Sequence, residues 1–173
     1  NLAKRVLILD LDAHHGNGIQ EIFYEDPSVL YISLHMDPRY SFPGTGFVDE
    51  VGSGAGIGYN INVPLPQKTT TQTYLKAIDE IVTPAMKNYK PDLVHLLFGS
   101  DTHHHDPLSQ LSITMDCYPA AAQRVRESAD KICGGRVITQ LAGGYDIPVA
   151  ARAFYLVTGV MLDAPTLDIT EPH

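Results

Sequence analysis

The feature that most constrains this chain is a recurrence: short apolar runs rich in Val, Ile and Leu alternate with longer segments of helical periodicity. That alternation is the pattern of βαβ units, and such runs are at home in a parallel sheet whose faces are covered by helices. Strands are expected over 5–9, 29–34, 59–63, 92–98 and 136–141, and helices over 18–24, 70–89, 115–132 and 148–162. Within 70–89, Tyr74, Ile78, Ile81, Val82 and Ala85 fall at helical spacing, and Pro91 bars continuation. Gly134 and Gly135 stop the third helix, while Pro148 suits the first turn of the last. The chain therefore reads as an α/β protein.

Its 173 residues are enough to bury roughly 68–70% of the unfolded surface, which predicts one domain over 1–173. Apolar residues make up 44% and no apolar run approaches the length of a membrane span. A net charge of -8 opposes direct nucleic-acid binding and mildly favours cationic partners. Cys117 and Cys133 lie far apart with no zinc-finger spacing. With no export signal in the first residues, they are expected as reduced thiols in a cytoplasmic protein, or a nuclear one in a eukaryote.

Polar residues cluster at three carboxyl ends of the expected strands: Asp10, Asp12 and His14; Ser100 and Asp101; and Gly143, Gly144 and Tyr145. In open parallel sheets this edge is where ligands bind. Asp12 and His14, two apart in extended backbone, point to one side, and Asp101 can join them from another strand. Two carboxylates and an imidazole suit zinc or another divalent transition metal and leave a position open for a reactant. Taken singly, Asp12 could cap the short helix, His14 lie on the surface and Asp101 close a turn. The crowding of ionisable groups beside apolar strands favours the metal. The long connection 35–58, with Pro38, Pro43 and several glycines, is expected to be functional.

The string Leu9-Asp10-Leu11-Asp12-Ala13-His14-His15-Gly16-Asn17-Gly18 resembles the D-x-D-x-H-H-G-[DN]-G motif of the histone deacetylases and their bacterial and archaeal relatives. In the same order follow Ser33-Leu34-His35, Phe42-Pro43-Gly44-Thr45-Gly46, Asn62-Val63-Pro64, Gly99-Ser100-Asp101 with Asp106-Pro107, and Gly143-Gly144-Tyr145. The resemblance implies the three-layer arginase/deacetylase-like fold, here as the C-terminal part of a catalytic domain. It implies one Zn2+ held by Asp12, His14 and Asp101, and a catalytic Tyr145. Asp10, Ser33 and Leu34, the last through its carbonyl, would help hold a structural K+ or Na+. Phe42, Leu108, Gly143 and Gly144 would line a substrate tunnel.

The implied reaction is hydrolysis of an acetylated lysine or small acetylated amine, with zinc polarising the carbonyl and Tyr145 donating to the developing oxyanion. The family's His-His pair lies in an upstream segment that this chain lacks, so the chain alone is expected to be inactive until paired with that missing N-terminal segment. His103, His104 and His105 fall where the family has variable loop residues, and are expected to be a polar loop segment. Asn17 and Leu108 resemble the branch of class II deacetylases and acetylpolyamine amidohydrolases. Two other readings are an arginase-like enzyme, for which Gly16 and His103 replace needed carboxylates, and a noncatalytic metal-binding interaction module, against which Tyr145 argues.

Overall fold

In the computed structural model, which describes residues 3–165 and 170–171, five strands form one fully parallel sheet in the order β3-β2-β1-β4-β5. These are β1 (Val6–Asp10), β2 (Val29–Met36), β3 (Asn60–Leu65), β4 (Leu93–Phe98) and β5 (Val137–Leu141). The chain moves outward from β1 to β2 and β3, then returns to lay β4 on the other side of β1. This reversal opens a crevice between the carboxyl ends of β1 and β4, the place where such sheets hold ligands.

Helices cover both faces. On one side α2 (Thr71–Ala77), α3 (Thr83–Tyr89), α4 (Cys117–Cys133) and α5 (Ile147–Met161) enclose the main core, where Leu7, Leu9, Ile32, Leu34, Leu96 and Phe98 meet helix residues such as Val125 and Leu156. Burial of α4 at Ala121, Ala122, Val125, Ala129 and Cys133 follows helical spacing. Among the described residues only α1 (Asn17–Phe23) covers the other face, placing Ile19 and Phe23 over Ile8, Val29 and Tyr31. Toward the β5 edge that face is open, and Ile138 is 54% exposed.

The helix expected over 70–89 is three consecutive pieces, with a π-helical turn at Ile78–Val82 between α2 and α3. Its cause is Pro84, whose ring crowds the preceding turn and which has no N–H to donate. The Thr83 N–H reaches back five residues to the Ile78 carbonyl, widening the helix where the proline enters. Gly134 ends α4 in the left-handed conformation, and the Asp146 carboxylate accepts from the Val149 N–H at 3.0 Å to cap α5. Cys117 and Cys133 are buried free thiols. Among the described residues no helix is long and apolar enough to cross a membrane.

Candidate metal centre

Asp10 is the last residue of β1, and the segment after it bends rather than continuing as a strand. This corrects the extended geometry expected for Asp12-Ala13-His14. The bends arise because short carboxylates capture nearby backbone donors: Asp10 Oδ1 accepts from the Asp12 N–H at 3.1 Å, and Asp12 Oδ1 from the His14 N–H at 2.8 Å. Asp12 and His14 still converge, and Asp101 arrives from the end of β4, tied to the same turn by the Ala13 N–H at 2.9 Å.

His14 Nδ1 lies 3.0 Å from Asp101 Oδ2 and 3.3 Å from Asp12 Oδ1. Ligands around a tetrahedral ion with bonds near 2.0–2.1 Å are separated by roughly 3.3 Å, so these atoms already stand at coordination spacing. Asp12 Oδ2 accepts from the Gly143 N–H at 3.0 Å, an outer hydrogen bond of the kind that fixes a ligand's direction. The site also concentrates charge. His14 is pushed up to about 10 by its hydrogen bonds to Asp101 and Asp12. Burial raises Asp101 to about 6; for Asp12, burial acts upward too, but its hydrogen bonds from His14 outweigh it and hold the carboxyl below the usual range. Two carboxylates and an imidazole whose donor atoms stand this close together fit a divalent metal ion.

Two glycines make room for the carboxylates, a role sequence reasoning did not assign. A Cβ on Gly143 would stand 2.6 Å from Asp12 Oδ2 and still closer to Asp101 Oδ2. A Cβ on Gly99 would stand 2.6 Å from Asp101 Oδ1. Gly143, expected as a tunnel residue, lies directly against the carboxylates of Asp12 and Asp101. Gly144 has φ +150° and lies against the Ser100 hydroxyl, a conformation that L side chains rarely adopt. The only hint in the sequence was that Gly99 follows the β4 segment directly, two residues before Asp101, and that Gly143 comes two residues after the end of β5.

Tyr145 follows this turn and is 54% exposed, and its backbone N–H donates to Asp106 Oδ2 at 2.9 Å. Partial burial, then the charges of Asp101, Asp12 and Asp106, push its phenol above the ordinary value. Phe42, 78% exposed, and Leu108, 55% exposed, stand on the loops after β2 and β4, at the same edge of the sheet. Asp10 and Ser33 are paired across β1 and β2. The Asp10 carboxyl accepts from Tyr31 at 3.0 Å and is raised to about 7, first by burial and then by Asp12. The Ser33 hydroxyl meets His35 Nδ1 at 2.8 Å, and Leu34 is wholly buried.

The long connection is pinned at several points: His15 Nδ1 meets the Thr45 hydroxyl at 2.9 Å, and His35 Nε2 donates to the Gly46 carbonyl at 2.9 Å. Gln20 Oε1 accepts from Asn60 and Asn62 at 2.7 and 2.8 Å. This amide cluster was not foreseen, because no local spacing joins residue 20 to residues 60 and 62.

Known proteins resemble this chain in sequence and in fold. The chain is 44% identical over 144 residues to a probable deacetylase of Archaeoglobus fulgidus, covering 83% of this chain and 40% of that one. A crystal structure of a histone deacetylase homologue complexed with SAHA superposes with a TM-score of 0.87 at 34% identity, over 95% of this chain and 43% of that one. An acetylpolyamine aminohydrolase from Burkholderia pseudomallei superposes with a TM-score of 0.80 at 36% identity, over 92% and 46%. The chain thus spans less than half the length of these relatives. The histone deacetylase domain model matches residues 1–161, and the chain belongs to the histone deacetylase family.

Proposed function

We propose that this chain forms the metal-binding part of a zinc-dependent hydrolase that removes acetyl groups from acetylated lysine side chains or small acetylated amines. The observation that carries this reading is the Asp12, His14 and Asp101 triad at coordination spacing, on the same sheet edge as Tyr145. Three protein ligands of this kind suit Zn2+ and leave a coordination position for a reactant. When bound, the metal supplies Lewis-acid polarisation of an acyl carbonyl.

The remaining chemistry belongs to side chains. Asp12 and Asp101 offset the cation's charge and are themselves held by the Gly143 and Ala13 N–H groups. The Tyr145 phenol, protonated at neutral pH like any tyrosine and held above its ordinary value, can donate to the carbonyl oxygen as negative charge develops there. Phe42 and Leu108, both exposed, offer apolar walls for the methylene stem of an acylated amine. Asp10, Ser33 and the Leu34 carbonyl frame a place for K+ or Na+ behind the centre. One divalent metal is the better account than two, since a side chain at Gly16 would run into Tyr31 and Asp10 and His103 faces Glu171.

Hydrolysis also needs a base for water and an acid for the leaving amine. His15 and His35 each have both ring nitrogens hydrogen-bonded, so neither is free for that work. The base is expected from the part of the family's longer domain that this chain does not span. Asn17 and Leu108 support the class II and acetylpolyamine branch. The test compares hydrolysis of an acetyl-lysine peptide and an acetylated polyamine, with chelation and zinc readdition, by the 173-residue chain and by a protein extended to its relatives' length. Zinc-dependent turnover is expected only from the extended protein. Vigorous turnover by the short chain would refute the missing base, and zinc binding without turnover in both would favour the noncatalytic module.

A further inference from the structure

Three consecutive histidines follow Asp101 on the loop after β4, and the metal centre uses none of them. His103 is wholly buried, its ring stacked against Tyr118 with centroids 6.2 Å apart. Its Nδ1 accepts from the His105 backbone N–H at 3.2 Å, so Nε2 carries the proton that meets Glu171 Oε2 at 2.9 Å. Glu171 is itself aimed by the Met115 N–H, 2.7 Å from its other oxygen. His104 donates through Nδ1 to the Ile113 carbonyl at 3.1 Å, which leaves its Nε2 lone pair available. The three rings gather about one point, with centroid separations of 4.3, 5.2 and 4.1 Å. One ring nitrogen of each lies within 4.8 Å of one of each of the others.

The polar loop expected from the sequence is held more firmly than its composition alone suggests. Backbone contacts to Ile113 pin it, one ring is buried, and a carboxylate from a remote part of the chain is placed on that ring. An imidazole whose far nitrogen is fixed by a carbonyl is the usual state of a histidine that ligates metal. Imidazole ligands suit zinc, cobalt or nickel.

We propose that His103, His104 and His105 form a second, separate site for a divalent transition metal, in which the ion takes the Nδ1 lone pair of His103 in place of the 3.2 Å His105 N–H contact while Glu171 holds the Nε2 proton on the far side of the ring. His104 and His105 are exposed and can close the remaining distance by side-chain rotation. An ion there staples the three histidines of the loop that carries Leu108, fixing one wall of the entrance. The site stands independently of the reading of Asp12, His14 and Asp101.

The test is zinc and cobalt titration by calorimetry, with circular dichroism to confirm folding. Wild-type protein is expected to bind about two ions per chain, and His104→Ala/His105→Ala, altered only at exposed rings, about one. Asp101→Asn is expected to retain the histidine site alone. Glu171→Gln is expected to weaken that remaining binding at least about tenfold, as loss of a supporting carboxylate does elsewhere. Unchanged stoichiometry and affinity in His104→Ala/His105→Ala would overturn the proposal, as would folded Asp101→Asn protein that binds no metal.

Discussion

Gly143→Ala is the sharpest perturbation of the candidate metal centre, because the atoms nearest the added methyl carbon belong to the two carboxylates. A carbon and an oxygen in contact settle at about 3.3 Å, whereas the new Cβ would stand 2.6 Å from Asp12 Oδ2. That carboxylate must therefore retreat by about 0.7 Å, and Asp101 by more, while metal sites tolerate only about 0.2 Å in a ligand distance. At least one oxygen leaves coordination range. Losing only a supporting group around a metal ligand costs roughly 10–100-fold in affinity, so displacing a ligand is expected to cost at least about 100-fold, or about 2.7 kcal/mol. Zinc affinity measured by chelator competition checks this. Gly18→Ala is the control, since a Cβ there meets nothing within 4 Å and is expected to leave affinity unchanged. Zinc binding by Gly143→Ala within about threefold of wild type would refute the steric account.

Three further outcomes follow from the same geometry. Tyr145→Phe in the catalytically complete protein is expected to lower kcat by roughly 10²–10³-fold while zinc affinity stays constant; equal losses in both would place the phenol in metal binding instead. His35, held down to about 4 mainly by burial, is neutral in the folded protein, so its contribution to stability is complete above about pH 6.5 and disappears as pH falls from there through 4. The gap corresponds to about 3 kcal/mol; NMR titration of the folded protein checks it, and an imidazole titrating near 6.5 would contradict it. The Cys117 thiol, pushed up to about 12 by burial, is expected to resist maleimide in the native state and react on unfolding; rapid native labelling in peptide mapping would show that the helix α4 interface opens.

Much of the fold was legible because its signals are local. The apolar runs at β1, β2 and β4 end in ligand-type residues, and parallel topology puts those ends on one edge. Asp12, His14 and Asp101 could thus be grouped across some ninety positions. Pro84 shows where periodicity misleads: the apolar spacing continues through it, but its missing N–H converts one turn to π geometry. Glu171 shows a deeper limit, since nothing near it in the chain indicates that its carboxylate meets His103.

What the sequence determined by itself was the alternation of strand and helix, the residue types able to hold a cation, and the kinship that orders them. What only the tertiary structure decided was distance: a bent rather than extended Asp12-Ala13-His14, Gly99 and Gly143 pressed against the carboxylates, and a buried His103 facing Glu171. The physical reason is that hydrophobic patterning and backbone preference act over a few residues, whereas coordination spacing and van der Waals exclusion between loops exist only once the sheet has brought them together.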